Sequence, residues 1–214
     1  MTSVCLDNDS KWSVAAYTVH EKYLSEKKLF DRDIVAFECL EHTHPADRYA
    51  VIVAIGYVHA NKARANIYRE CKKKGYTLIS YVSSKSVHWG MLDIGDNCLI
   101  YENNVINPFV TIGNNVIICP GCIIGHHSVI EDHSFIGSHA VINGNSRIGA
   151  YSIIGSNATL ADGITIGAES IVGAGTAIMK DTKPQEVYVS PKAERMRTSS
   201  TEIGPFIQSP FLKH

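Results

Sequence analysis

Between residues 94 and 178 an aliphatic residue returns at every sixth place without a slip. The run is Ile94, Ile100, Ile106, Ile112, Ile118, Ile124, Ile130, Ile136, Ile142, Ile148, Ile154, Leu160, Ile166, Val172 and Ile178. A helix repeats at 3.6 residues and a strand at 2, so neither can hold this frame. A fixed six-residue period predicts a solenoid of short parallel strands. The other registers agree. Four places after the anchors stand mostly small residues, among them Cys98, Cys122, Ser128, Ser134, Ala140, Ser146, Ser152 and Ala158, as a narrow interior requires. Three places after them stand Asn97, Asn103, Asn115, Gly121, Asn145, Asn157, Gly163 and Gly175. Asn and Gly tolerate positive φ, so this register marks the corners.

The first ninety residues have another texture. Ser3–Asp7 reads as a short strand and Ala15–Lys28 as an amphipathic helix. Tyr49–Gly56 is an apolar run that ends in glycine, as a buried parallel strand does. Residues 61–74 have helical composition, with Gly75 as the stop, and Tyr76–Val82 is another strand. Strand, helix, strand implies a small α/β unit. It would cap the open end of the solenoid or bind a substrate there. In the second case the pocket edge would be Gly56–Ala60, beyond the carboxyl end of a strand. The division is therefore 1–88 for the α/β domain, 89–183 for the solenoid and 184–214 for a C-terminal tail.

The whole chain sets bounds on function. Its net charge is −1, which predicts no bulk attraction to nucleic acid. No run approaches 18 apolar residues, and residues 1–12 lack the apolar core of a signal peptide, so no membrane span and a cytoplasmic location are expected. Six cysteines in 214 residues do not make a disulfide framework. Cys119 and Cys122 imitate a metal or redox pair. The frame sends Cys122 inward and leaves Cys119 on the flank, so both read as structural.

Four of the ten histidines lie close together: His126, His127, His133 and His139. The last three occupy the corner register. Histidine is enriched at positive φ, so a corner role accounts for them. They fall on three successive corners and would point apart, which argues against a metal held by one chain.

The segments Ile124-Gly-His-His-Ser-Val-Ile130, Asn143-Gly-Asn-Ser-Arg-Ile-Gly149 and Ile171-Val-Gly-Ala-Gly-Thr176 resemble the hexapeptide-repeat acyltransferases. Within these they are most similar to bacterial sugar acetyltransferases related to sialic acid O-acetyltransferases and nucleotide-amino-sugar N-acetyltransferases. The resemblance implies a mainly β fold: a left-handed parallel β-helix with three faces and eighteen residues per coil, preceded here by a truncated Rossmann-like domain. The left hand is an exception to the usual crossover rule. It also implies a homotrimer with acetyl-coenzyme A in the groove between neighbouring solenoids, a sugar acceptor of surface-polysaccharide biosynthesis, and no metal.

Residue by residue, His126 matches the family's catalytic base. It sits one place before a corner, with Pro108 and Gly144 one coil to either side, and small neighbours leave a neutral imidazole room to act. Gly144, Ser156, Gly173 and Ala174 match positions that flank the pantetheine arm. Lys180 and Lys192 are candidates for the coenzyme phosphates. Acetyl transfer to an amine or hydroxyl needs proton removal and an oxyanion donor but no covalent nucleophile, so direct transfer is expected.

There are departures. Relatives often carry an acid after the base, where this chain has His127. Orienting or acceptor-side roles are therefore open to His127, Glu131, Asp132 and His139. Phe135 stands where some relatives place a second histidine. No glycine-rich turn follows Met1, so a plain glycan hydroxyl rivals a nucleotide sugar as acceptor. Ser190-Pro-Lys-Ala193 follows the relatives' tail motif in part. Two other readings compete: a zinc hydratase similar to the γ-class carbonic anhydrases, and a non-catalytic solenoid scaffold.

Overall fold

The structure is a computed structural model that describes residues 1–195, 197–199 and 201–202. Its body is a triangular coil. Strands of two residues each stack into three parallel sheets of six, five and seven strands. The register sets the repeat: Ile106 pairs with Ile124, and Ile124 with Ile142, eighteen residues on each time. The hexapeptide is thus one side of the triangle. The anchors point in, and from Ile100 to Val172 they are almost wholly shielded from solvent. Each buried isoleucine contributes about 1.5–3 kcal/mol by leaving water.

The small inward residues close the corners. Their serines are buried, and each hydroxyl donates to a carbonyl one coil on: Ser128 to Asn143, Ser134 to Gly149, Ser152 to Gly167. A buried hydroxyl without such a partner would be costly. All fourteen corner positions from Asn97 to Gly175 have positive φ. His127, His133 and His139 are among them at 59°, 63° and 60°, as the register predicts.

The sheets begin before the hexapeptide frame becomes regular. Tyr81–Val82 pairs with Leu99–Ile100, and Val87–His88 with Val105–Ile106. At the other end Val187–Tyr188 pairs with Ile171–Val172. The expected strand Tyr76–Val82 is therefore two pieces, Thr77–Leu78 in the small domain and Tyr81–Val82 in the solenoid. Of the tail, Met196, Ser200 and residues 203–214 lie outside the described residues.

Two expectations for the first domain are corrected. Ser3–Asp7 lies within a helix, Thr2–Asp9. Its Asn and Asp residues are poor strand formers, and its ends are held by the solenoid. Thr2 Oγ1 meets Tyr101 Oη at 2.7 Å, and Asp9 accepts from Tyr81, Ser83 and the Ser84 amide. Ala15–Lys28 is not a helix. Tyr17–Val19 is a strand parallel to Ile34–Ala36, followed by a short 3₁₀ turn and the strand Lys28–Leu29. Aromatic and β-branched residues at 17–19 favour the pleated edge, and pairing overrides the charge pattern behind them. The other elements match. Ala50–Val51 pairs in parallel with Thr77–Leu78, and the helix Lys62–Lys73 between them ends at Gly75, φ +82°.

The helix Lys62–Lys73 docks the small domain on one corner column of the solenoid: Asn97, Asn115, His133, Tyr151 and Glu169. Arg64 is wholly buried and donates to the carbonyls of Asn115, His133 and Ser134. Arg69 donates to the Tyr151 hydroxyl and Lys62 pairs with Glu169 at 2.9 Å. A buried amide ladder continues the seam, from the Val53 amide to Asn97, from Asn97 to Asn115, and from Asn115 Nδ2 to His133 Nδ1 at 2.8 Å.

His133 must be neutral to accept that last bond. Burial lowers its pKa below the ordinary 6.5; Asp132 and Asp96 favour the charge, and Arg64 and Arg69 oppose it. The unfolded chain therefore binds the extra proton first as pH falls through about 6.5, and the fold loses stability from there down to the lowered value. Above that window the contribution is full. We expect the wild-type Tm to fall between pH 7 and pH 5.5 more than that of His133→Asn, which restores the corner residue found at Asn97 and Asn115. Parallel curves for the two proteins would exclude His133 as the titrating group.

Candidate active site

His126 lies in the turn that follows the strand Ile123–Ile124, one residue before the corner. Its column along the solenoid reads Pro108, His126, Gly144, Asp162, Lys180, each eighteen residues from the last. The imidazole is exposed and lies across Gly144. A Cβ on Gly144 would come within 2.8 Å of both Cε1 and Nε2 of His126. Glycine is the residue that lets the ring take this place. The other ring nitrogen is engaged, with His126 Nδ1 lying 3.1 Å from His127 Nδ1. The two rings meet edge to face, with centroids 5.2 Å apart. One of these nitrogens donates and the other accepts. If His126 donates, its Nε2 carries the free lone pair above Gly144.

Both backbone groups of Gly144 are used within the chain. Its N–H donates to Asp162 Oδ1 at 3.1 Å and its carbonyl accepts from the Gly163 amide. What Gly144 offers a ligand is space. Lys180 is exposed at the end of the same column.

The other expected coenzyme residues fall elsewhere. Ser156 and Ala174 share a column beside the next corner back along the chain, and Gly173 precedes Ala174. The glycines 137, 155 and 173 sit flat under the following chain; a Cβ on Gly155 would lie 2.5 Å from the Ala174 nitrogen. Between this column and the His126 column runs one whole face of the triangle. Its outward residues are Val87, Val105, Ile123, Val141, Thr159 and Ala177, of which Val87 and Ile123 are exposed aliphatics. A single chain thus keeps the two expected groups on opposite edges of an apolar face. Lys192 is exposed beyond the last coil.

Glu131 and Asp132 are not beside His126. They lie at the following corner, where Glu131 pairs with Arg147 and accepts from the Ala150 amide, and Asp132 accepts from the Asn114 amide at 2.7 Å. The six-residue step carries them one side of the triangle away, so within the chain they do not orient His126. His139 stands at the third corner, packed over Gly121. The contact to His126 comes from His127.

The interior cysteines are closed off. Burial pushes the Cys98 and Cys122 thiols up to about 12, and it raises Cys119 as well. Among the described residues no helix is long and apolar enough to cross a membrane.

The loop Gly56–Ala60, expected at a pocket edge, rests on the solenoid. Tyr57 stacks edge to face on Phe135 with centroids 4.8 Å apart, and Arg64 holds the carbonyls of Ile55 and Gly56. A hollow of about 690 Å³ lies deeper in the small domain, lined by Trp12, Tyr17, Arg48 and Tyr49 among others.

Two features were missed in the sequence: Arg64 as the buried pin, and Phe109, a corner residue at φ 65° whose ring lies 4.7 Å from that of His127. Of the four residues open to an orienting role, His127 is the one that meets His126. Phe109 stood in the corner register, and its departure from Asn or Gly was the available signal.

The stacked coil, its eighteen-residue register and its positive-φ corners define a parallel β-helix of hexapeptide repeats. The chain belongs to the GMPPB C-terminal domain family, whose profile matches residues 89–202. Comparison with curated protein sequences returns no match. Solved structures share the fold. WeeI from Acinetobacter baumannii AYE superposes with a TM-score of 0.74 at 23% identity, over 87% of this chain and 88% of its own. PerB from Caulobacter crescentus, in complex with CoA and GDP-perosamine, gives 0.71 at 22% identity, over 76% and 78%. The acetyltransferase domain of PglB from Neisseria gonorrhoeae FA1090, in complex with acetyl coenzyme A, gives 0.70 at 20% identity, over 76% and 78%. These likenesses establish the left-handed β-helix with its preceding small domain.

Proposed function

We propose that this chain is an acetyltransferase that uses acetyl-coenzyme A and acylates an amino or hydroxyl group of a sugar, with His126 as general base. The observation that carries the proposal is the state of His126: one ring nitrogen tied to His127, the other free above Gly144 on an exposed edge. The fold shared with PerB and with the PglB domain supports the choice of donor and acceptor class, since those two were seen with CoA and GDP-perosamine and with acetyl coenzyme A.

The chemistry follows from the residues. His126 Nε2 takes the proton of the acceptor N–H or O–H as that atom attacks the acetyl carbonyl. The C–S bond then breaks, and the leaving thiolate takes up a proton. With Nδ1–H already donated to His127, the imidazolium formed keeps a fixed orientation. No thiol of the chain is needed, consistent with the interior place of Cys98 and Cys122.

The reading includes a homotrimer in the cytoplasm. Ser156, Gly173 and Ala174 lie across an apolar face from His126, Gly144 and Lys180. Packing that face against a second copy would bring one group of each chain to the other group of its neighbour. Acetyl-coenzyme A would then lie in the groove between them, with its phosphates near Lys180 or Lys192. The small domain that precedes Tyr81 would present the acceptor, and the solenoid, whose paired strands run from Tyr81–Val82 to Val187–Tyr188, would carry the chemistry.

Two measurements test this. Calorimetry with coenzyme A asks whether the donor binds. Thiol release from acetyl-coenzyme A asks whether a panel of nucleotide-linked amino sugars, headed by GDP-perosamine, and the corresponding free sugars accept the acetyl group. Absence of coenzyme binding at millimolar concentration would remove the proposal. His127→Asn keeps a corner residue and should fold normally. Loss of one orienting hydrogen bond is worth about 1 kcal/mol, so its kcat should fall about 5–10-fold with unchanged coenzyme affinity. A wild-type kcat would show that His127 is a corner and nothing more.

A further inference from the structure

Phe109 is strained at its own position. Its backbone is in the left-handed region at φ 65°, and its ring is 75% exposed. A bulky side chain there is an outlier that the surrounding structure has to justify. Other corners that abandon Asn or Gly have such a justification. His133 packs on Tyr68 of the small domain, Tyr151 receives a bond from Arg69, and Glu169 pairs with Lys62. The Phe109 column lies at another corner, which that helix does not cover. Its ring contact within the chain is His127, at 4.7 Å and 35° between planes. His127 in turn holds His126.

The edge around His126 is therefore divided. Toward the C-terminal coils it is small and then charged: Gly144, Asp162, Lys180. Toward the N-terminal coils it is apolar and aromatic: Pro108, Phe109, and in the preceding coil the exposed Trp89 and Met91. A coenzyme that carries phosphates matches the first side. The second side is left for the group that accepts the acetyl.

We propose that Phe109 is a specificity-determining residue whose exposed face carries the sugar ring of the acceptor. The inference rests on the acetyltransferase reading. A pyranose has an apolar C–H face that lies well on an aromatic ring, and its amino or hydroxyl group then projects from the rim. Phe109 is two ring contacts from His126, so the part of the acceptor that it meets is the sugar being acylated. A nucleobase, farther from the reacting group, would lie beyond it. The strain of the corner is retained because the ring serves a ligand.

The test is Phe109→Asn, which restores the preferred corner residue and so folds. Relief of strain should raise Tm by about 2–4 °C. The acceptor KM should rise at least tenfold for free and nucleotide-linked amino sugars alike, while coenzyme affinity and kcat at saturation stay near wild type. Phe109→Tyr should restore the low KM. An unchanged acceptor KM in Phe109→Asn, in a wild type that turns over, overturns this inference alone. So does a rise confined to the nucleotide-linked acceptors, or a change in oligomer mass. A wild type that binds no coenzyme and releases no thiol overturns the acetyltransferase reading and this inference with it.

Discussion

His126→Ala is expected to lower turnover by about 10²–10⁴-fold, the range that a positioned general base supplies. Coenzyme binding should remain. The ring rests on Gly144 and His127 and supports no part of the core, so its removal leaves the coil intact. The direction of the loss is informative. An interaction made only as the proton moves affects kcat and kcat/KM together and leaves ground-state binding alone. The measurement is steady-state thiol release over a range of acceptor concentrations, with calorimetry of coenzyme A on the same variant. Gly144→Ala is a companion test. Its Cβ would lie 2.8 Å from Cε1 and Nε2, too close for a real contact, so the imidazole must shift although the histidine is still present. Both variants should be folded and slow. Turnover near wild type in His126→Ala would take the base away from His126.

How much of this was visible in the sequence depends on whether a feature is periodic. The anchors repeat every six residues because each fills one side of a closed triangle, so a single rule describes some eighty residues. The corner histidines followed from the same rule, and the structure finds them at positive φ. The small domain has no such rule. Tyr17–Val19 became a strand because Ile34–Ala36 lies beside it, a pairing that local charge cannot reveal. Thr2–Asp9 became a helix with its ends tied to Tyr101 and Tyr81 of the solenoid. At the site, the sequence singles out His126 as a candidate because it stands one place before a corner, between Pro108 and Gly144 in its column. Its partner was only narrowed to four candidates, His127 among them, and the sequence could not choose between them. Glu131 and Asp132 are close in sequence, but one six-residue step turns a side of the triangle and carries them to another corner. His127 is adjacent in sequence, and only the ring orientations show that the two Nδ1 atoms meet.

Arg64→Met should detach the small domain while the solenoid stays folded. The guanidinium is wholly buried and its acceptors come from three places: the carbonyls of Ile55 and Gly56, the Asn61 side chain, and the carbonyls of Asn115, His133 and Ser134. Desolvation brings its pKa down to about 10, so it is still charged at neutral pH. No carboxylate is among these partners; the charge is stabilised by carbonyl dipoles. Methionine has similar length and no donors. It removes the cost of burying the charge and leaves the oxygens unpaired in a dry seam, and each such group costs about 1–3 kcal/mol. By analogy with one-sided loss of a buried charged partner, the net loss is about 3–5 kcal/mol. It falls on the junction, because the Ile100–Val172 core makes no use of Arg64. Arg64→Lys should rescue little, since one ammonium cannot span three segments. Hydrogen exchange should therefore speed up in residues 50–80 and at the Asn97–Asn115–His133 ladder while the inner strands keep their protection. Under the acetyltransferase reading the acceptor KM should rise with it, since the Gly56–Ala60 loop is held by the same side chain. Equal exchange in Arg64→Met and wild type would mean that Tyr151, Glu169 and the amide ladder dock the domain without the arginine.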